Sequence, residues 1–187
     1  MPLLPVPAES RERLQRTVYR EFLTEPGLAH EVGLESLPTK LASRLGCSAD
    51  EAVEKLLEAP FLEALTLAQL QQLVAIRDMA LISRTAAALS AELKEPEVTY
   101  EACCRAALIY AAAGMEPHVF AALRAAAAKH DEWARHHYLY GLLLGMGGDA
   151  DRAMWELGMA LSREPYEDGR IRVRQAMELL EPYSTRE

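Results

Sequence analysis

Three histidines and an aspartate crowd one short stretch of this chain, at His130, Asp131, His136 and His137. Imidazole and carboxylate side chains are the ligands of zinc-type metal ions, so their density first suggests a metal centre. The spacing argues otherwise. His136 and His137 are sequential, and on a helix neighbouring side chains leave the axis about 100° apart. No CxxC or HExxH pattern and no carboxylate ladder supports a site. The expectation is that no metal is bound and that these histidines face solvent or a groove. Cys103 and Cys104 could act as nucleophiles, but no activating base or glycine-rich loop accompanies them, and buried structural thiols are the simpler reading. The run GMGGD, residues 145–149, lacks the lysine and the preceding strand of a phosphate cradle and reads as a turn between helices. No acid, base and oxyanion donor can be assembled. The chain is therefore expected to carry no catalytic residues, to need no cofactor and not to be an enzyme.

The elements that hold these residues are helices. Residues 134–165 read as two antiparallel helices joined by a Gly-Gly-Asp turn and closed by Pro165. Small residues fall where the two must touch, at Gly141, Ala153 and Ala160, with the large Leu157 between the last two. This hairpin resembles the tetratricopeptide repeat, a helix–turn–helix unit of about 34 residues. The signature matches at Gly141, Ala153, Leu157, Ala160 and Pro165. It departs at His137, where a tryptophan is typical, and at Leu144, where a tyrosine is typical. One period earlier, Ala107, Leu108, Tyr110, Gly114, Leu123 and Ala126 stand in corresponding places, so residues 100–133 form a second unit. Its turn carries Pro117 near the start of the second helix, where a missing N–H costs nothing. A third unit at about 65–98 rests on Ala91 and Pro96 alone. Beyond Pro165, an amphipathic helix with Ile171, Met177 and Leu180 on its apolar positions is expected to cover the last hydrophobic face, as terminal elements of repeat arrays do.

Composition narrows the classes. A chain of 187 residues suits one domain, or a small one fused to a larger. Half of the residues are apolar, aromatics are few and alanine is abundant, which favours closely packed helices over sheets. The net charge of −8 disfavours nucleic acid, whose phosphates need clustered Lys and Arg, and an anionic membrane surface. Cys47, Cys103 and Cys104 show neither metal-ligand spacing nor a disulfide framework. A reducing cytosol suits them. The first ten residues, MPLLPVPAES, read as neither signal peptide nor anchor, and no apolar run is long enough to span a bilayer. A soluble, cytoplasmic protein is expected.

The N-terminal third, residues 1–60, reads as a helical segment of its own, ahead of the repeats and their capping helix at 61–187. Ser10 can cap a helix to about Leu23, with Leu14, Val18 and Phe22 four apart on one face. Glu25-Pro26-Gly27 ends it. Residues 37–59 resemble a helix-turn-helix, with a turn at Gly46-Cys47 and a Ser48…Glu51 capping box. The second helix of such a motif enters a DNA groove. Here it carries Asp50, Glu51, Glu54 and Glu58 against Lys55, a sign that repels phosphate. Further helices are expected at 61–78 and about 79–94.

The fold expected is all-α: helical hairpins stacked as a short right-handed solenoid behind an N-terminal helical subdomain. The resemblance implies that first helices line an inner groove. It places Glu101, Cys104, Leu108 and Ala111 there from the earlier unit, and Arg135, Tyr138, Leu142 and Met146 from the later one. Arg172 and Ala176 extend it from the final helix. That face has an apolar centre and arginines at its edge, which suits a peptide or helix with hydrophobic anchors and a carboxylate. The Lys, Asn and Arg clamp by which such repeats hold chaperone tails is missing. The implied role is a non-catalytic adaptor, scaffold or chaperone binding another protein, with Tyr138 as the main contact; a homo-oligomer stays open. A transcriptional regulator, reading DNA through 37–59 and sensing a partner through the repeats, is the alternative.

Overall fold

A computed structural model of the chain describes residues 5–24, 46, 48, 98–112 and 115–185. The described residues form six α-helices and no strand: α1 (Ala8–Thr24), α2 (Tyr100–Ala112), α3 (Glu116–Lys129), α4 (Ala134–Met146), α5 (Ala150–Arg163) and α6 (Glu167–Glu178). A short 3-10 turn, Glu181–Tyr183, follows. The all-α class is as expected. The helix-turn-helix-like segment, the third repeat unit and the helices expected at 61–94 lie outside the described residues. Within that stretch Gly46 has φ 66°, the left-handed conformation that a turn there requires.

Local chemistry sets the hairpins. Helix α2 pairs with α3 and α4 with α5. Between α4 and α5, Gly148 adopts φ 90°. Its N–H donates to the Gly145 carbonyl at 3.0 Å, and the Asp149 N–H donates to that of Leu144 at 3.0 Å. This double closure of a helix end on a left-handed glycine is the Schellman motif. Asp149 then caps α5 by accepting from the Arg152 N–H at 3.2 Å. Pro117 stands in the first turn of α3. The two helices of the later hairpin meet at Gly141. A Cβ added there would lie 2.6 Å from Leu157 Cγ and 3.2 Å from the Ala153 carbonyl, so only glycine allows this approach. Ala153, Leu157 and Ala160 are fully enclosed.

Two local expectations change. Helix α1 starts at Ala8, directly after Pro7, whose carbonyl accepts from the Arg11 N–H; Ser10 sits inside its first turn rather than capping it. In α6 the face turned inward is Gly169, Val173 and Ala176, continued by Leu180. Ile171 is exposed, because a helix following that row puts position 171 on the opposite side.

The larger finding is where α1 lies. It packs across α2 and α4. Its Leu14, Val18 and Phe22 are buried in one core with Cys104, Leu108, Tyr138 and Leu142. Helix α1 is thus tied to both helical hairpins. At Gly145 a Cβ would meet Leu14 Cδ1 at 2.8 Å and Leu180 Cδ1 at 2.9 Å, so α4 also needs glycine where α1 and the C-terminal segment converge on it.

Candidate functional site: a covered helix face and a histidine junction

Residues expected to line a groove lie in the core that α1 joins, and Tyr138 meets α1 directly through Glu21. Cys104, Leu108, Tyr138 and Leu142 are at most 5% exposed. Met146 and Ala111 are partly buried against the same core, and Glu101 and Arg172 are exposed. Tyr138 is therefore a packing residue in this arrangement, not an open contact. Its hydroxyl donates to Glu21 Oε1 at 3.4 Å. Burial, reinforced by the Glu21 carboxylate, pushes its ionisation well above the usual phenol range.

Glu21 is the polar key of this contact. It is 3% exposed, a rare position for a carboxylate unless it is paired. Arg135 Nη1 donates to its Oε2 at 2.7 Å, and Arg172 Nη1 stands 4.0 Å from Oε1. One acidic residue of α1 thus joins both arginines that the sequence placed at the groove edge. Beside it, between α1 and α6, lies a cleft of about 530 Å³ whose lining includes Arg13, Arg16, Arg20 and Arg172. The covered face has a basic margin although the chain as a whole is acidic.

The second cluster lies at the start of α4. His136 and His137 do not diverge: their ring centroids are 4.0 Å apart. The Cβ directions differ by about a quarter-turn, yet helical side chains lean toward the N-terminus. In a first turn this tips both rings toward the loop that precedes α4. Each Nε2 is 3.9 Å from Asp131 Oδ1 in that loop. The backing groups come from two other helices. Tyr100 on α2 places its hydroxyl 3.0 Å from His136 Nδ1 and accepts from the His136 main-chain N–H at 2.9 Å. Glu156 on α5 holds His137 Nδ1 at 2.6 Å. Arg163, in the last turn of α5, points a guanidinium nitrogen at His137 Nε2 and at the Asp131 carbonyl. Burial, with His137 next, pulls His136 down to about 4. Burial, with Cys104 next, raises Tyr100.

His130 stays apart from this junction. It stacks on Trp133 with centroids 4.0 Å apart and pairs with Glu132 at 3.0 Å. Cys103 and Cys104 are both buried and free of disulfide, and burial raises the Cys103 thiol, away from nucleophilic reactivity.

Sequence reasoning missed the cover of the groove and the convergence of the histidines. The first had a signal: ARHHYLYGLLLGM is apolar on nearly every side, as a helix buried on two faces must be. The second had none, because ring convergence depends on where the preceding loop runs.

No protein-family model, curated protein or solved structure matches this chain. Among the described residues no helix is long and apolar enough to cross a membrane.

Proposed function

We propose that this chain is a non-catalytic interaction module that binds an amphipathic helix across α2 and α4, with its own α1 as the resident occupant. The observation that carries this reading is the match between α1 and the face it covers. Leu14, Val18 and Phe22 recur every fourth residue and are all buried, which is the anchor spacing of a helix laid in a groove. Glu21, between the last two anchors, meets Arg135, Tyr138 and Arg172. The face therefore selects for shape and for one carboxylate at a fixed register. A partner helix with the same pattern takes the place of α1, and the tandem hairpins act as a rigid frame for that exchange.

Occupancy in cis lowers apparent affinity in trans, by the fraction of molecules whose face is open. A fluorescent peptide of residues 5–24 measures this. The parent should bind it weakly, and a full-length Phe22→Ala variant, whose own helix is loosened, at least roughly tenfold more tightly. A peptide carrying Glu21→Gln should lose most of that gain. If the folded Phe22→Ala protein ignored the peptide, the helix-binding reading would be wrong.

A further inference from the structure

We propose that Asp131, His136 and His137 form a binding site for a divalent transition-metal ion of the zinc type, with the Arg163 guanidinium as a resident cation that the metal displaces. The three donor atoms, one from each residue, lie within 4.8 Å of one another. A tetrahedral zinc ion with bonds of about 2.0–2.2 Å needs its ligand atoms roughly 3.4 Å apart. Each 3.9 Å separation from Asp131 must therefore close by about half an ångström. Asp131 sits in a loop with its side chain 71% exposed, so the closure falls on the member freest to move.

The second observation is the wiring of the rings. Metal-binding imidazoles hold their other nitrogen against a carboxylate or another polar group, which fixes tautomer and orientation. Both rings are held this way, His137 Nδ1 by Glu156 and His136 Nδ1 by Tyr100. With a proton on Nδ1 donated to Glu156, His137 Nε2, 3.1 Å from the Asp131 carbonyl, presents a lone pair that accepts from the Arg163 guanidinium. Tyr100 is itself hydrogen-bonded to Cys104 and accepts from the His136 N–H. In the tautomer protonated at Nδ1, His136 donates to the Tyr100 oxygen. Nε2 of His136 is then a second lone pair. That atom is buried and has no hydrogen-bond partner among the described residues, on a side chain 5% exposed. A buried acceptor without a donor is costly as a purely structural feature. A metal ion satisfies it.

Arg163 marks the place a cation would take. Its guanidinium touches His137 Nε2 and the Asp131 carbonyl and lies 3.7 Å from the Asp131 carboxylate. The side chain ends α5 and is 22% exposed, so it can swing to solvent. Two imidazoles and one carboxylate leave a coordination position open, and this donor set suits zinc, iron or nickel better than calcium or magnesium.

Zinc titration of the full-length protein, free of any affinity tag, tests this. Both tryptophans flank the cluster: Trp133 stacks on His130, and Trp155 lies edge-on to His137 with centroids 6.4 Å apart. Intrinsic fluorescence and calorimetry therefore read occupancy together. One equivalent of zinc should bind. Arg163→Gln should tighten it roughly tenfold by removing the competing cation. Glu156→Gln should weaken it roughly 10–100-fold, and Asp131→Ala, at an exposed loop position, at least as much. His130→Gln should leave it unchanged. Failure of Arg163→Gln to bind zinc at one site, or equal binding by Asp131→Ala and the parent, would overturn the proposal.

Discussion

Helices α4 and α5 belong to one hairpin, yet they are buried in opposite styles. Nine of the thirteen residues of α4 are enclosed, against four of the fourteen in α5. Helix α5 follows the usual rule of one apolar stripe and one wet face. Helix α4 has two main partners. One is its neighbour in sequence, met through Gly141 and Leu157. The other is α1, more than a hundred residues earlier, met through Glu21 and the core around Tyr138. The difference teaches that a helical hairpin is a local object, whereas the state of its outward face is decided elsewhere in the chain.

The two faces of α4 can be broken separately. Phe22 is 1% exposed on the α1 side, so Phe22→Ala should cost about 3–5 kcal/mol in chemical denaturation. A loss near zero would mean that α1 is not docked. On the α5 side, Gly141→Leu should overpack the contact with Leu157 and the Ala153 carbonyl, costing about 1–3 kcal/mol. Melting equal to the parent's would remove the close helix pairing from the account.

The histidine junction adds a pH signature. His136 is pulled down to about 4, while an unfolded histidine titrates near 6.5. The unfolded chain then takes up a proton that the native state refuses, so this contribution is intact above about pH 6.5. It is lost progressively as pH falls to about 4 and levels off below. The groups facing the ring are His137, Asp131, Arg163, Glu132 and Tyr100. With metal chelated, melting temperature should drop more steeply over that window in the parent than in His136→Gln. Parallel slopes would assign the acid sensitivity to other groups.

The smallest effect separates two glycines of the same hairpin. A Cβ at Gly158 meets nothing within 4 Å, so Gly158→Ala should stabilise the protein by about 0.5–1 kcal/mol through helix propensity alone. Destabilisation there would show that α5 carries an unrecognised contact.

Legibility in the sequence follows the same division. The later hairpin was readable from Gly141, Ala153, Leu157, Ala160 and Pro165, because contacts between adjacent helices leave a periodic trace of small residues. The anchors Leu14, Val18 and Phe22 were readable as a stripe. Their destination was not, since an amphipathic helix states only that it needs a partner. Arg135 and Tyr138 both meet Glu21, a pairing that joins positions whose spacing carries no period. His136 and His137 were misjudged because the argument from helix angles ignored the lean of first-turn side chains toward Asp131.

The central claim is that α1 is seated on α4, and a double-mutant cycle between Glu21 and Arg135 tests it most directly. The two side chains meet at 2.7 Å with Glu21 buried. Glu21→Gln, Arg135→Gln and the double variant should reveal a coupling of about 1–3 kcal/mol in unfolding free energy. Single-variant losses that simply add, to within about 0.5 kcal/mol, would mean that the two residues do not meet and that the face of α4 is not covered by α1.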